Sequence, residues 1–191
     1  AKPVRVLLLS GRNNHDWKST TPKLKAILEK GGLFAVDVTE KPERITARFL
    51  EPYDVILSNW NAFGQDPSDL GWPAETRRAY LDFVRRGGGH VVVHAGSASF
   101  QEWEDYGRLT QATWKTGLTS HGPRHEFPVR IDDAAHPVTA GIKPFMILDE
   151  LWNRPGIAAG AEVLASSYSA PDKEGTGQWE PAVLAGRFGA G

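Results

Sequence analysis

Gly87-Gly88-Gly89-His90-Val91-Val92-Val93-His94-Ala95-Gly96-Ser97 is the stretch that decides the fold. The glycines stop a helix and open a tight turn, the valines between two histidines read as a strand, and small residues follow it. Just upstream, Pro73 opens the clearest helix, with Ala79, Tyr80, Phe83 and Val84 at helical spacing and Arg85 and Arg86 in its last turn. The same alternation runs back to the N-terminus. Arg5 to Ser10 is a continuous apolar run, the pattern of a strand buried on both faces. A polar loop, 11–19, precedes a helix expected to be capped by Thr21 with Pro22 at its first position and Leu24, Ile27 and Leu28 as its stripe. Gly31 and Gly32 end that helix, Leu33 to Val38 is a second strand, Pro42 to Leu50 a short helix, and Tyr53 to Ser58 a third strand. Strands separated by helices predict an α/β fold with a mostly parallel central sheet.

The second half is less regular. Glu126 to Ile131, Phe145 to Leu148, Val163 to Ser167 and Ala182 to Ala185 read as strands, and 106–124 is long and poorly periodic. No linker divides the chain, so one domain is expected over 1–191, continuing past Gly191 because Phe188-Gly189-Ala190-Gly191 looks like a turn leading into another element.

Composition removes several classes of function. With 191 residues and no Cys, thiolate nucleophiles, Cys-ligated zinc and disulfide frameworks are out. Lys plus Arg is 22 against Asp plus Glu 23, a formal net charge of -1, which offers no electrostatic footprint for nucleic acid or for a basic membrane patch. No apolar run is long enough to span a bilayer. The compartment is left open between periplasmic or secreted, after signal removal, and cytoplasmic. A homo-oligomer is equally compatible with the sequence.

In an open parallel sheet, ligands bind beyond the carboxyl ends of the strands. The first strand delivers Asn14, His15, Asp16 and Trp17 to that rim, the third Asn59 and Trp60, and the fourth His94 and Ser97. Asp149 and Glu150 join them if Phe145 to Leu148 runs parallel, and Trp152 lies near the same expected rim. His94 sits at a sharp strand-to-helix turn, where an imidazole can act as base, metal ligand or electrostatic partner; the alternative is a histidine that merely shapes the turn. His94, Glu150, His15 and Asp16 are the candidate catalytic groups. Asn14, Trp17, Asn59, Trp60, Ser97 and Trp152 are the candidate substrate contacts, since indole faces suit sugar rings and amides suit hydroxyls. His121 and His125, joined by Gly122-Pro123-Arg124, could ligate a divalent metal such as zinc with His94, or with Glu150 completing a His/His/carboxylate set. Gly87-Gly88-Gly89 stands in the wrong order for a dinucleotide fingerprint, and there is no P-loop.

With these residues in hand, the chain resembles the bacterial trehalose-utilisation (ThuA-like) family. The matching pieces are Leu7-Leu8-Leu9-Ser10-Gly11 with Asn14-His15-Asp16-Trp17, Tyr53-Asp54-Val55-Ile56-Leu57, residues 87–95, His136-Pro137-Val138-Thr139-Ala140-Gly141, and Asp149-Glu150-Leu151. The resemblance implies a three-layer, flavodoxin-like sandwich of the class I glutamine-amidotransferase-like kind. It also implies a role in sugar catabolism, with the site around His15, His94 and Glu150. Wider relatives carry a Cys at the sharp turn after the fourth strand. His94 stands there in this chain, so amidotransferase chemistry is not expected. The leading expectation is an enzyme acting on a keto-sugar or keto-glycoside by isomerisation or elimination and hydrolysis. The alternative is a non-catalytic carbohydrate-binding or accessory domain of a larger secreted protein.

Overall fold

The apolar run near the N-terminus forms β1 (Val4–Leu9), the hub of a parallel sheet. The computed structural model describes residues 2–63 and 71–191. They fall into two units, Ala1–Thr110 with Arg187–Gly191, and Gln111–Gly186.

In the first unit β1 is followed by α1 (Trp17–Glu29), β2 (Phe34–Thr39), a 3-10 turn at Pro42–Arg44 and α2 (Ala47–Leu50). Then come β3 (Val55–Ser58), α3 (Ala74–Arg85), β4 (Gly89–Val92), a 3-10 turn at His94–Ala98 and α4 (Glu104–Leu109). The sheet order is β2-β1-β3-β4, and every pairing is parallel. Alternate residues of β1 face opposite ways, which explains its uninterrupted apolar sequence. Leu7 and Leu9 pack with Ile56, Leu50, Tyr80, Phe83 and Val84 on one side. Val6 and Leu8 pack with Val36, Leu57 and the α1 residues Leu24 and Leu28 on the other. Helices therefore cover both faces, as a three-layer arrangement requires.

Helix α1 starts earlier than the sequence suggests. Asp16, not Thr21, is the N-cap, its carboxylate accepting from Ser19 N at 3.1 Å. Thr21 is unavailable as a cap because its hydroxyl is drawn inward, 2.7 Å from Ser10 Oγ and 3.0 Å from Asn59 Nδ2. Pro22 accordingly lies inside the helix.

The second unit holds the short strands β5 (Ala112–Thr113) and β6 (Ser120–His121), then β7 (His125–Ile131) and β8 (Phe145–Asp149). It continues through β9 (Trp152–Asn153), β10 (Gly156–Ile157), β11 (Glu162–Tyr168) and β12 (Trp179–Ala185). Its main sheet, β12-β11-β7-β8, is antiparallel, and two-stranded ladders join β5 to β10 and β6 to β9. β8 therefore does not extend the parallel sheet. It runs back along β7, with His125 opposite Asp149 and Val129 opposite Phe145. The reason lies in the connection. Residues 132–144 fold into turns about His136, whose carbonyl accepts from Thr139 N and Ala140 N, and contain no crossover helix of the kind a parallel pair needs. No described helix is long and apolar enough to cross a membrane.

At the opposite end of β4 from His94, His90 Nε2 meets the Tyr80 hydroxyl at 2.8 Å. Burial lowers the His90 pKa from 6.5 to about 4. His90 is thus neutral in the fold and gains a proton on unfolding below pH 6.5, so its stabilising contribution is complete above pH 6.5 and is lost as pH falls toward 4. His90→Gln should flatten the fall in unfolding midpoint across that window in circular dichroism melts. An unchanged pH dependence would contradict the assignment. Leu8, fully buried, sets the scale of the core: Leu8→Ala should cost about 3 kcal/mol, read as a lower urea midpoint.

Candidate functional site

The chain order reverses between β1 and β3, and the loops after β1, β3 and β4 leave the sheet at the same end. His94 is the first residue of the turn after β4, and its φ of 42° is left-handed, a conformation that costs a non-glycine residue about 1–2 kcal/mol. The surrounding structure holds it there. Ser97 Oγ donates to His94 O at 2.9 Å, Tyr106 Oη donates to Gly96 O at 2.8 Å, and Asn61 Nδ2 donates to Ala95 O. Burial raises the Tyr106 pKa, so its phenol stays a donor. Gly96 is required by close approach: a Cβ there would lie 2.8 Å from Val92 Cγ2 and 3.0 Å from Ser58 O.

The loop after β1 is fastened in the same manner. Asn13 Nδ2 donates to Asn59 O at 2.9 Å, while Asn13 Oδ1 accepts from His15 N at 2.9 Å. Capping by Asp16 then turns the chain into α1 directly after His15. The two loops bring the His15 and His94 rings to a centroid separation of 4.9 Å, tilted by 55°. Both side chains are exposed.

In the second unit, Glu150 lies between β8 and β9 and is half-buried. Its amide donates to Asp149 Oδ1 at 2.9 Å, and its Oε2 is 4.0 Å from His121 Nε2. Two neighbouring imidazoles such as those of His15 and His94 suit zinc or another first-row divalent ion and leave coordination positions open for further ligands.

The remaining candidates divide clearly. His121 and His125 lie in the second unit; each commits Nδ1 to a nearby carbonyl at 2.8 Å, Gly122 O for His121 and Pro123 O for His125. Asp16 is occupied as a helix cap. Trp60 is 5% exposed and packs against Trp72 and Phe100 in the core, so it offers no face to a ligand. Asn59 is also buried and holds α1 to the sheet through Thr20 and Thr21, each at 3.0 Å. Ser97 is spent on the His94 turn. Asn14 is exposed beside His15, and Trp17 is half-buried with Lys18 Nζ 5.6 Å from its ring centre. Trp152 is half-buried against Trp114. Tyr106 and Asn61, which hold the His94 turn, gave no sequence signal of that role, because their partners are backbone carbonyls distant in the chain.

A parallel β2-β1-β3-β4 sheet between helical layers defines an α/β protein of the flavodoxin-like, class I glutamine-amidotransferase-like arrangement. A glutamine amidotransferase from Thermotoga maritima shares it with a TM-score of 0.50 at 9% identity, over 85% of this chain and 66% of that one. Within that class the chain belongs to the ThuA family, described as trehalose utilisation, whose model matches residues 5–191. A ThuA-like protein from Parabacteroides merdae ATCC 43184 superposes with a TM-score of 0.84 at 30% identity, covering 99% of this chain and 77% of that one. Another, from Bacteroides uniformis ATCC 8492, gives 0.67 at 18% identity, covering 97% and 77%. No curated protein matches the sequence.

Gly96→Ala should lower stability by about 1–3 kcal/mol, because the added methyl meets Val92 and the Ser58 carbonyl, and should disturb the His94 turn. Chemical denaturation measures the first effect and the His94 ring resonances in NMR report the second.

Proposed function

We propose that this member of a sugar-utilisation family is an enzyme acting on a keto-sugar or keto-glycoside through acid–base chemistry at His15, His94 and Glu150. The observation that supports the reading is the pairing of the exposed His15 and His94 imidazoles at the rim of the parallel sheet, their ring centres 4.9 Å apart. A hydrogen on the carbon beside a sugar carbonyl is acidic enough for a positioned side chain to remove. Glu150 Oε takes that proton and the electron pair passes to the carbonyl oxygen as an enolate. Return of the proton to the neighbouring carbon gives isomerisation. Expulsion of a glycosidic oxygen beta to the carbonyl gives an enone and an alcohol, and addition of water then yields net hydrolysis. His15 and His94 hold the carbonyl end of the substrate and supply the proton that the departing oxygen requires. Alternatively, His15 and His94 would hold a divalent ion, which would supply Lewis-acid polarisation of the carbonyl when bound.

Elemental analysis of untagged protein beside His94→Ala tests the ion: stoichiometric metal in the first and its loss in the second is expected. For the reaction, Glu150→Gln should reduce turnover of a keto-disaccharide by about 100-fold or more while leaving the fold intact. Full activity in both variants would overturn the assignment. A protein that binds sugar with no turnover at all would instead be a carbohydrate-binding module, the reading that the Trp114–Trp152 pair favours.

A further inference from the structure

The antiparallel sheet of the second unit, β12-β11-β7-β8, ends on two strands of unlike character. β12 is blunted in the ways that keep a sheet edge from pairing: its ladder with β11 is irregular around Ala165, and it carries Pro181. β8 has neither a bulge nor a proline, and its first charge comes only at Asp149, after Phe145-Met146-Ile147-Leu148.

The ladder with β7 fixes which way the backbone of β8 points. Pro128 has no N–H to give, so its pair with Met146 is one without hydrogen bonds. Bonded and non-bonded pairs alternate along an antiparallel ladder. The bonds therefore run through His125–Asp149, Phe127–Ile147 and Val129–Phe145, and the N–H and C=O of Met146 and Leu148 point away from β7. Among the described residues no strand lies on that side. The side chains match this open edge. Phe145, Met146 and Leu148 are 46%, 58% and 52% exposed, while Ile147 packs on the cluster of Phe127, Val129, Leu151 and Ala165. An exposed charge flanks each end, Lys143 before the strand and Asp149 at its close.

We propose that β8 pairs antiparallel with β8 of a second copy of this chain, about a two-fold axis at Met146, joining the two sheets into one. In that register Met146 exchanges backbone hydrogen bonds with the partner's Met146, and the Leu148 N–H donates to the carbonyl of the partner's Pro144. Phe145 lies opposite the partner's Ile147, so the exposed phenyl ring extends the partner's apolar cluster. Lys143 lies opposite the partner's Asp149 at both ends of the interface. Moving the axis one residue to Ile147 sets Phe145 against the partner's Asp149 and parts the charges, so the register at Met146 is favoured. A strand with opposite charges at its two ends is complementary to its own reverse, which selects a second copy over an unrelated strand.

Sedimentation velocity over a range of concentrations, with hydrogen exchange read at single amides, tests this on the unaltered protein, Lys143→Asp, Asp149→Lys, the double variant carrying both changes, and Met146→Pro. The unaltered protein should dimerise with a dissociation constant of about 10 μM, and the Met146 and Leu148 amides should gain protection as dimers form. Each single charge change sets like charges opposite one another at both ends and should weaken the dimer about tenfold. The double variant should return to within about threefold of the unaltered protein. Met146→Pro removes the N–H at the axis without costing β7 a bond, so it should give a folded monomer. Thermal melts establish that it folds; if it does not, the charge exchange decides alone. A protein still monomeric at about 1 mM overturns the proposal, whether those amides exchange freely or are already covered within one chain. So does a dimer that the single charge variants or folded Met146→Pro leave intact, or one that the double variant fails to restore.

Discussion

The left-handed backbone at His94 is the constraint around which the first unit is organised. A residue with a β-carbon adopts such a conformation only when its neighbours over-determine it. Here the determinants come from three separate places: the loop after β3 through Asn61, α4 through Tyr106, and the turn itself through Ser97. Each donates to a backbone carbonyl of the turn. The aromatic cluster of Trp60, Trp72, Phe100 and Tyr106 packs behind the turn, so the core and the site share one set of side chains.

This division of labour accounts for what the tryptophans and asparagines of the rim do. Residues close to the sheet, such as Asn59 and Trp60, are absorbed into packing and hydrogen bonding. Those one step further out, His15 and His94, are presented to solvent. A rim loop therefore has an inner layer that fixes geometry and an outer layer that faces solvent.

The α/β alternation was legible because each strand of the first unit is a short apolar run closed by glycine or a polar loop. That signal survives without any knowledge of partners. His15 and His94 were legible as rim residues for the same reason. The direction of β8 was not. Phe145 to Asp149 has the same apolar look whether it pairs with a parallel or an antiparallel neighbour, and only the turns about His136 decide. Thr21 misled because a threonine before proline resembles a cap, yet Ser10 and Asn59, far away in sequence, claim its hydroxyl. The fates of Trp60 and Asn59 were hidden likewise, since a polar or aromatic residue after a strand can turn either way until the packing around it is known.

The positions of β1 and β4 in the sheet carry a consequence for folding. β1 pairs on both sides and is needed for almost any version of the sheet, whereas among the described residues β4 pairs with β3 alone. His15 rides on the loop of the first and His94 on the loop of the last. The histidine pair is therefore a non-local contact that can form only after β4 has docked on β3. A chain halted before that step has its hub strands in place but no paired imidazoles, so the histidine pair is completed only when the sheet is.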